Sequence, residues 1–127
     1  MTPEQPSRRE FSRVLVHLKA EVRADGKVHR EGTMENLSLK GGFFRTSARI
    51  RDGLSVDVRL HLDGTDIEVH TRGFVVRGGP DGFAVQFTEI VGLDSLEHLR
   101  NIILLNTHDP RQVEEEFHSH LGLKRAE

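Results

Sequence analysis

The chain has 127 residues with 18 Lys plus Arg, 20 Asp plus Glu and 8 His, so its formal net charge is −2 at pH 7 with neutral histidine. This length fits one domain, and the 35% hydrophobic fraction with 12 Gly resembles folded globular proteins, which excludes wholesale disorder and a collagen-like repeat. The absence of Cys excludes a disulfide framework, a thiolate zinc site, an iron–sulfur cluster and a cysteine nucleophile.

The N-terminal quarter predicts an arm followed by two strands. Residues 1–7 contain two prolines and no apolar periodicity, which predicts a mobile arm. From Val14 to Val22 apolar and polar residues alternate, with Leu15 as the exception, which predicts a half-buried strand. Asp25-Gly26 can adopt the positive φ angles of a tight hairpin, which leads into a second strand from about Val28 to Asn36.

The middle of the chain carries further short alternating segments separated by glycine-containing turns. Turns are predicted at residues 38–42, 51–53, 63–64 and 78–82, and strands at 43–46, 54–62, 67–77 and 83–87. Six or so short strands with closely spaced turns indicate a closed or nearly closed antiparallel barrel. The predicted fold class is therefore mainly β.

The C-terminal third changes to helical spacing. Apolar residues recur at intervals of three and four, at Leu93, Leu96, Leu99 and Ile103. Asp94 is the predicted N-cap, with Glu97 at the capping-box position. These signals predict an amphipathic helix that continues to about Leu105 and packs on the barrel.

A second short helix is predicted after Asp109-Pro110, with Gln112 at the capping-box position. One narrow apolar stripe follows before Gly122, at Val113, Phe117 and Leu121. We interpret this stripe as intramolecular packing in preference to a docking surface, and Glu114, Glu115 and Glu116 as the solvated face of the helix. His118-x-His120 is interpreted as surface histidines, so no metal site is predicted.

Neither a membrane nor a nucleic acid is a predicted partner. The longest uncharged apolar stretch, Ile102 to Leu105, is far shorter than the roughly 20 residues that span a bilayer, and the N-terminus has no apolar signal region. We therefore expect a cytoplasmic protein without membrane insertion. The negative net charge argues against DNA or RNA binding, because that affinity comes from many Lys and Arg contacts to phosphate.

Two polar motifs lie at the ends of the first two predicted strands. The first is Arg9-x-x-x-Arg13, reinforced by Arg8, and the second is Asn36-x-Ser38-x-x-Gly41. A guanidinium group fits phosphate, or guanine O6 and N7, with two parallel hydrogen bonds. The Asn36 and Ser38 oxygens, two residues apart on one strand face, can accept from guanine N–H groups, and Gly41 allows a ligand close to the backbone.

These motifs resemble the signature of PilZ domains, which bind the bacterial second messenger cyclic di-GMP. The resemblance extends through residues 73–77 and 82–87 into 93–100, so it covers about residues 8–106. It implies a six-stranded antiparallel barrel with a C-terminal helix and no catalysis. It also implies that ligand binding orders the arginine arm and that a partner protein reads the changed surface. The expected organisation is an arm over 1–7, a PilZ domain over 8–106 and a helical extension over 107–127.

Three residues bear on how the ligand would be held. Asn36 occupies a position that is often Asp in the family, and its single acceptor oxygen predicts lower affinity. The chain has no Trp or Tyr, so Phe74 replaces the Trp that some members place near Val75. Arg8 resembles members that take up an intercalated pair of ligand molecules, and the sequence leaves open whether one or two bind.

The motifs also have less specific interpretations. An RxxxR pair on a surface is usually a solvated salt-bridging pair, and Asn36 with Ser38 can cap a turn through local hydrogen bonds. No arrangement of side chains predicts an enzyme. A small barrel that binds single-stranded nucleic acid is disfavoured, because only Phe43-Phe44 offers neighbouring rings for base stacking.

The leading hypothesis is a non-catalytic cyclic di-GMP receptor or adaptor, without cofactor or metal. We expect its N-terminal arm to change conformation on binding and to signal to a downstream protein. The alternative is a PilZ-like interaction module that does not bind nucleotide and docks a protein through an exposed stripe at Val113, Phe117 and Leu121. The identity of the partner, the controlled process and the oligomeric state are open.

Overall fold

The computed structural model describes residues 11–125, with side chains as far as Ser119. The predicted arm over 1–7, Arg8 and Arg9 lie outside the described residues. Seven strands precede two helices, and the strands are β1 Leu18–Ala24, β2 Lys27–His29, β3 Thr33–Ser38, β4 Gly41–Arg45, β5 Ser55–His61, β6 Glu68–Gly79 and β7 Gly82–Ile90. The helices are α1 Leu93–Asn106 and α2 Pro110–Arg125.

Six of the strands form a closed antiparallel barrel, which confirms the predicted fold class. Their order is β1-β3-β4-β7-β6-β5, and β5 pairs back to β1, while β2 extends the sheet beside β1. Alternate side chains point inward and form the core, which includes Val22, Met34, Leu37, Phe44, Val58, Leu60, Val69, Val75, Phe83 and Phe87. Each such side chain, when fully buried, stabilises the fold by about 1.5–3 kcal/mol.

The first strand follows the predicted alternation, and Leu15 is 75% exposed as expected. The regular strand begins only at Leu18, and Val14 is held by an isolated bridge to Leu37. The predicted second strand over 28–36 is wrong in one respect, because it is interrupted at residues 30–32. The chain changes partners there, since β2 pairs with the end of β1 whereas β3 pairs with the start of β1 and with β4.

The first helix packs against β6, and the predicted Leu96, Leu99 and Ile103 face the core, but its cap and the position of Leu93 differ from the prediction. Gly92 is the N-cap residue and makes no side-chain capping bond, so the prediction of Asp94 as N-cap is wrong. Leu93 is 79% exposed, and the buried face consists of Ser95, Leu99, Ile102 and Ile103. Ser95 belongs to this face because its hydroxyl accepts the N–H of His70 on β6 at 2.8 Å.

The second helix begins at Pro110 as predicted, and the Asp109 carboxylate caps it by accepting the N–H of Gln112 at 3.2 Å. It runs to Arg125 through Gly122, so the prediction of a short helix is wrong. Val113 and Phe117 are buried, which agrees with intramolecular packing and contradicts an exposed docking stripe. The Leu121 side chain lies outside the described residues.

One glutamate was assigned to the wrong face of this helix. Glu116 is buried beside Phe117 because Ser12 donates hydrogen bonds to its carboxylate, whereas Glu114 and Glu115 are exposed as predicted. Among the residues that the structure describes, neither helix has the length and apolar composition needed to cross a bilayer.

Candidate ligand-binding groove

A groove of about 760 Å3 opens between the segment before β1, the β3–β4 turn and the β6–β7 hairpin. We call it the basic groove, and its lining includes Phe11, Arg13, Asn36, Ser38, Lys40, Gly41, Val76, Arg77, Asp81 and Gln86. Its volume lies within the range of about 300–1,000 Å3 that is typical of small-molecule sites.

Four of the six predicted site residues line this one groove. They are Arg13, Asn36, Ser38 and Gly41, and they come from the segment before β1, from β3 and from the start of β4. The other two, Arg8 and Arg9, lie outside the described residues. The fold therefore brings the described parts of the two sequence motifs together, although more than twenty residues separate them along the chain.

The backbone of Asn36 is in the left-handed region, with a φ of 51°, at a bulge between Glu35 and Ser38. Asn tolerates this region better than most residues, because its short polar side chain can bond locally. The bulge interrupts strand alternation, so Leu37 and Ser38 are both buried while Asn36 is exposed. The premise that simple alternation places Asn36 and Ser38 on one face is wrong, yet both residues line the basic groove.

The Ser38 hydroxyl holds the β3–β4 turn in shape. It accepts the backbone N–H of Lys40 at 3.1 Å and donates to the carbonyl oxygen of Gly41 at 3.4 Å. The turn-capping interpretation of Ser38 is thus observed directly. A hydroxyl oxygen has two lone pairs, so one acceptor position remains for a ligand.

Gly41 has a packing role that the sequence did not suggest. A Cβ at this position would overlap the backbone oxygen of Val85 on β7, with which β4 is paired. The glycine therefore allows β4 and β7 to approach each other. The prediction assigned it to close approach by a ligand, whereas the structure shows close approach by a strand.

Two cations of the basic groove were missed by sequence reasoning. Lys40 Nζ lies 5.7 Å from the centroid of the Phe11 ring, which places a charge over an aromatic face beside the turn. Arg77 extends from the last part of β6. Lys40 lies inside the Asn36-x-Ser38-x-x-Gly41 motif, so its basic side chain was a usable signal, whereas Arg77 is brought to the groove only by strand pairing.

The charge of the basic groove differs in sign from that of the chain. Arg13, Lys40 and Arg77 supply three positive charges, and Asp81 is the only acidic residue of the described lining. Within residues 11–119, no carboxylate lies within the 4.0 Å ion-pair distance of any of these three cations. The salt-bridging interpretation of Arg13 therefore finds no partner in the described part of the chain.

Several other arginines of the described residues form ion pairs with carboxylates, unlike the three cations of the basic groove. Arg45 Nε lies 2.9 Å from Glu35, and Arg100 Nη2 lies 2.6 Å from Glu114. The hydrogen bond from Arg45 lowers the pKa of Glu35 below its ordinary value and raises the pKa of Arg45 in return. The two charges of each pair neutralise one another, whereas no ion pair within residues 11–119 neutralises the cations of the basic groove.

In the part of the chain that the structure covers, no three metal-ligating side chains come together. The positive charge of the basic groove, together with the acceptor oxygens of Asn36 and Ser38, suits an anion that also carries hydrogen-bond donors. A phosphate-containing nucleotide combines these properties, because it carries both phosphate charge and base N–H groups.

Comparison with known proteins agrees with this architecture. Residues 7–105 match the family model described as PilZ domain, and no curated protein matches the sequence. Among solved structures, the fold is similar to that of the Bacillus subtilis inhibitor of motility, MotI/DgrA, with a TM-score of 0.63 and 19% sequence identity. The similarity covers 81% of this chain and 55% of that chain, so this chain spans about half the length of its structural neighbour.

Proposed function

The chain belongs to the PilZ domain family, and we propose that it is a cytoplasmic, non-catalytic receptor for cyclic di-GMP that signals to a partner protein. The observation that carries this proposal is the meeting of Arg13, Asn36 and Ser38 in one positively charged groove. Family membership supplies the chemical class of the ligand, and the groove supplies groups that match its phosphates and guanine edges.

Each described residue has a distinct role in the proposed complex. Arg13 is exposed, so its guanidinium group can turn to bind a phosphate or guanine O6 and N7 with two hydrogen bonds. Asn36 projects from the bulge and offers its amide oxygen to a guanine N–H, while Ser38 offers its remaining lone pair. Lys40 and Arg77 add charge for the second phosphate.

Arg8 and Arg9, which directly follow the N-terminal arm, complete the proposed site. Three arginines within six residues repel one another, and a ligand with two negative charges relieves that repulsion when they gather around it. This electrostatic gain drives the proposed change of conformation in the arm. The changed surface would then be read by the partner, and the name of the structural neighbour makes motility the first process to examine.

The alternative of a nucleotide-independent docking module is disfavoured by the described part of α2. It required an exposed stripe on α2, and Val113 and Phe117 are 0% and 2% exposed. A single-stranded nucleic acid is also a weaker candidate, because the rings of Phe43 and Phe44 do not form an exposed stacking pair: Phe44 is fully buried against Phe83.

Calorimetric titration with cyclic di-GMP tests the proposal. We expect saturable binding by the wild-type protein and a roughly 10- to 100-fold weaker Kd for Arg13→Ala, as for a lost hydrogen bond to a charged group. Arg49→Ala is the matched control, since Arg49 is also exposed but does not line the basic groove. No binding by wild type, or equal binding by both variants, would contradict the proposal.

A further inference from the structure

The C-terminal helix is tied to the segment that carries Arg13 through one buried carboxylate. Glu116 of α2 accepts the backbone N–H of Ser12 at 2.9 Å and 3.0 Å on its two oxygens, and the Ser12 hydroxyl at 2.7 Å. The side-chain amide of Gln112, one turn earlier on α2, donates to the same carboxylate at 3.2 Å. These contacts join positions that are 104 residues apart in sequence.

Burial makes these hydrogen bonds important. Glu116 is 9% exposed, so its carboxylate has lost most of its contact with water and depends on protein donors. Within residues 11–119, no Lys, Arg or His lies within 4.0 Å of it. Among the described residues, Ser12 and Gln112 donate the hydrogen bonds to this carboxylate, and hydrogen bonds to a charged acceptor are among the strongest in proteins.

The position of Ser12 connects this contact to the basic groove. Its neighbours on either side, Phe11 and Arg13, both line the groove, and the Phe11 ring lies beneath Lys40. Because the bond from Ser12 includes its backbone N–H, it fixes the main chain between these two residues. Without it, the next main-chain attachment is the bridge from Val14 to Leu37.

We infer that Glu116 is a positioning residue for the ligand groove: by holding Ser12 it keeps Arg13 directed to the groove and couples the C-terminal helix to the ligand. This inference rests on the proposed function. It extends that function to a residue outside both sequence motifs. Coupling is reciprocal, so bound ligand strengthens the contact between Ser12 and α2, and a partner that displaces α2 weakens ligand binding.

The alternative explanation of the same bonds is purely structural: they join the segment around Ser12 to α2 and stabilise the fold. The two roles differ in what a substitution changes. If the bonds are purely structural, a substitution changes the melting temperature alone. If Glu116 is a positioning residue, the substitution also changes the Kd at temperatures where every variant is folded. The two quantities must therefore be measured on the same samples.

Three variants test the inference in calorimetric titrations with cyclic di-GMP at 25 °C, with melting temperatures recorded in parallel. Glu116→Gln keeps the shape of the side chain, but places an amide NH2 group against one of the Ser12 donors. Ser12→Ala removes the hydroxyl and keeps the backbone bond. Glu115→Gln is the matched control, because Glu115 is the adjacent, exposed glutamate.

We expect roughly tenfold weaker binding for Glu116→Gln, a smaller loss for Ser12→Ala and no change for Glu115→Gln. Hydrogen exchange of the Ser12 amide is a measurement that needs no ligand. We expect this exchange to be slow in wild type and fast in Glu116→Gln. Loss of amide protection together with a weaker Kd supports the inference.

Two results would overturn it while the proposed function stands: Glu116→Gln binds as tightly as the wild type, or it binds more tightly, which would mean that the contact opposes binding. Absence of binding by the wild-type protein would overturn the proposed function and the inference together. The wild-type titration therefore separates the two failures.

Discussion

Gly41 lies so close to the backbone oxygen of Val85 that any Cβ at position 41 would overlap it. Both residues belong to paired strands of the closed barrel, so neither backbone can move away without breaking the β4–β7 ladder. The last glycine of the second sequence motif is therefore fixed by strand packing at the floor of the basic groove.

The first prediction concerns this packing. Gly41→Ala should lower the free energy of unfolding by about 2–3 kcal/mol, as for overpacking in a rigid interior. Urea denaturation measures it, with Gly79→Ala as control, because nothing lies within 4 Å of a Cβ at Gly79. Equal stability of the two variants would show that β4 has room to shift. Loss of ligand binding in a Gly41 variant is consequently no evidence of a ligand contact.

The second prediction concerns the residue at the bulge. Asn36→Asp should tighten cyclic di-GMP binding by roughly three- to tenfold, because a carboxylate accepts two guanine N–H groups where the amide oxygen is a single acceptor. Asp also tolerates the positive φ of 51° at this position, so the fold should be unchanged.

Asn36→Gly is the matched variant for this prediction, since it keeps the left-handed backbone and removes only the side chain. We expect it to bind more weakly than wild type in the same titration. If all three proteins bind equally well, the side chain at position 36 does not contact the ligand.

The first two predicted strands show where prediction from the sequence succeeds and where it fails. Alternation over residues 14–22 predicted burial correctly, including the exposed Leu15, because a strand with one buried face must repeat every two residues. The break at residues 30–32 could not be predicted, because it depends on which strand each half of the segment pairs with.

The same limit applies to the basic groove. Arg13, Asn36 and Ser38 could be proposed from their motifs, since the motifs are local patterns. Arg77 and Glu116 could not, because each reaches its place through tertiary contacts. Glu116 follows two exposed glutamates, so local charge patterning assigned it to solvent, and only the distant Ser12 explains its burial.

The third prediction concerns the lysine that the motif contains. Lys40→Met should weaken cyclic di-GMP binding by roughly three- to tenfold while keeping the apolar contact with Phe11, because it removes only the charge over that ring. Raising the salt concentration should reduce the difference between variant and wild type, since screening weakens the same interaction. Lys19→Met on β1 is the control, because Lys19 is exposed and does not line the basic groove.

The fourth prediction concerns acid stability and a pair outside the basic groove. His70 Nε2 lies 2.7 Å from Asp57 Oδ2 on the outer face of β5 and β6. Burial acts to raise the pKa of Asp57, but the hydrogen bond and charge of His70, with the charge of Arg59, outweigh it and lower that pKa below its ordinary value. A lowered native pKa means that the folded state favours the ionised carboxylate.

The sign of the pH dependence follows from this. The stabilisation is fully present above the unfolded-state pKa of about 4 and is lost as the pH falls through the lower native pKa. Asp57→Asn should therefore lower the free energy of unfolding by about 0.5–1 kcal/mol at pH 7, a small value because the pair is partly exposed. The difference from wild type should shrink at pH 3, as measured by urea denaturation at both values. A difference that stays constant between pH 7 and pH 3 would show that the variant acts through packing and not through the charge of Asp57.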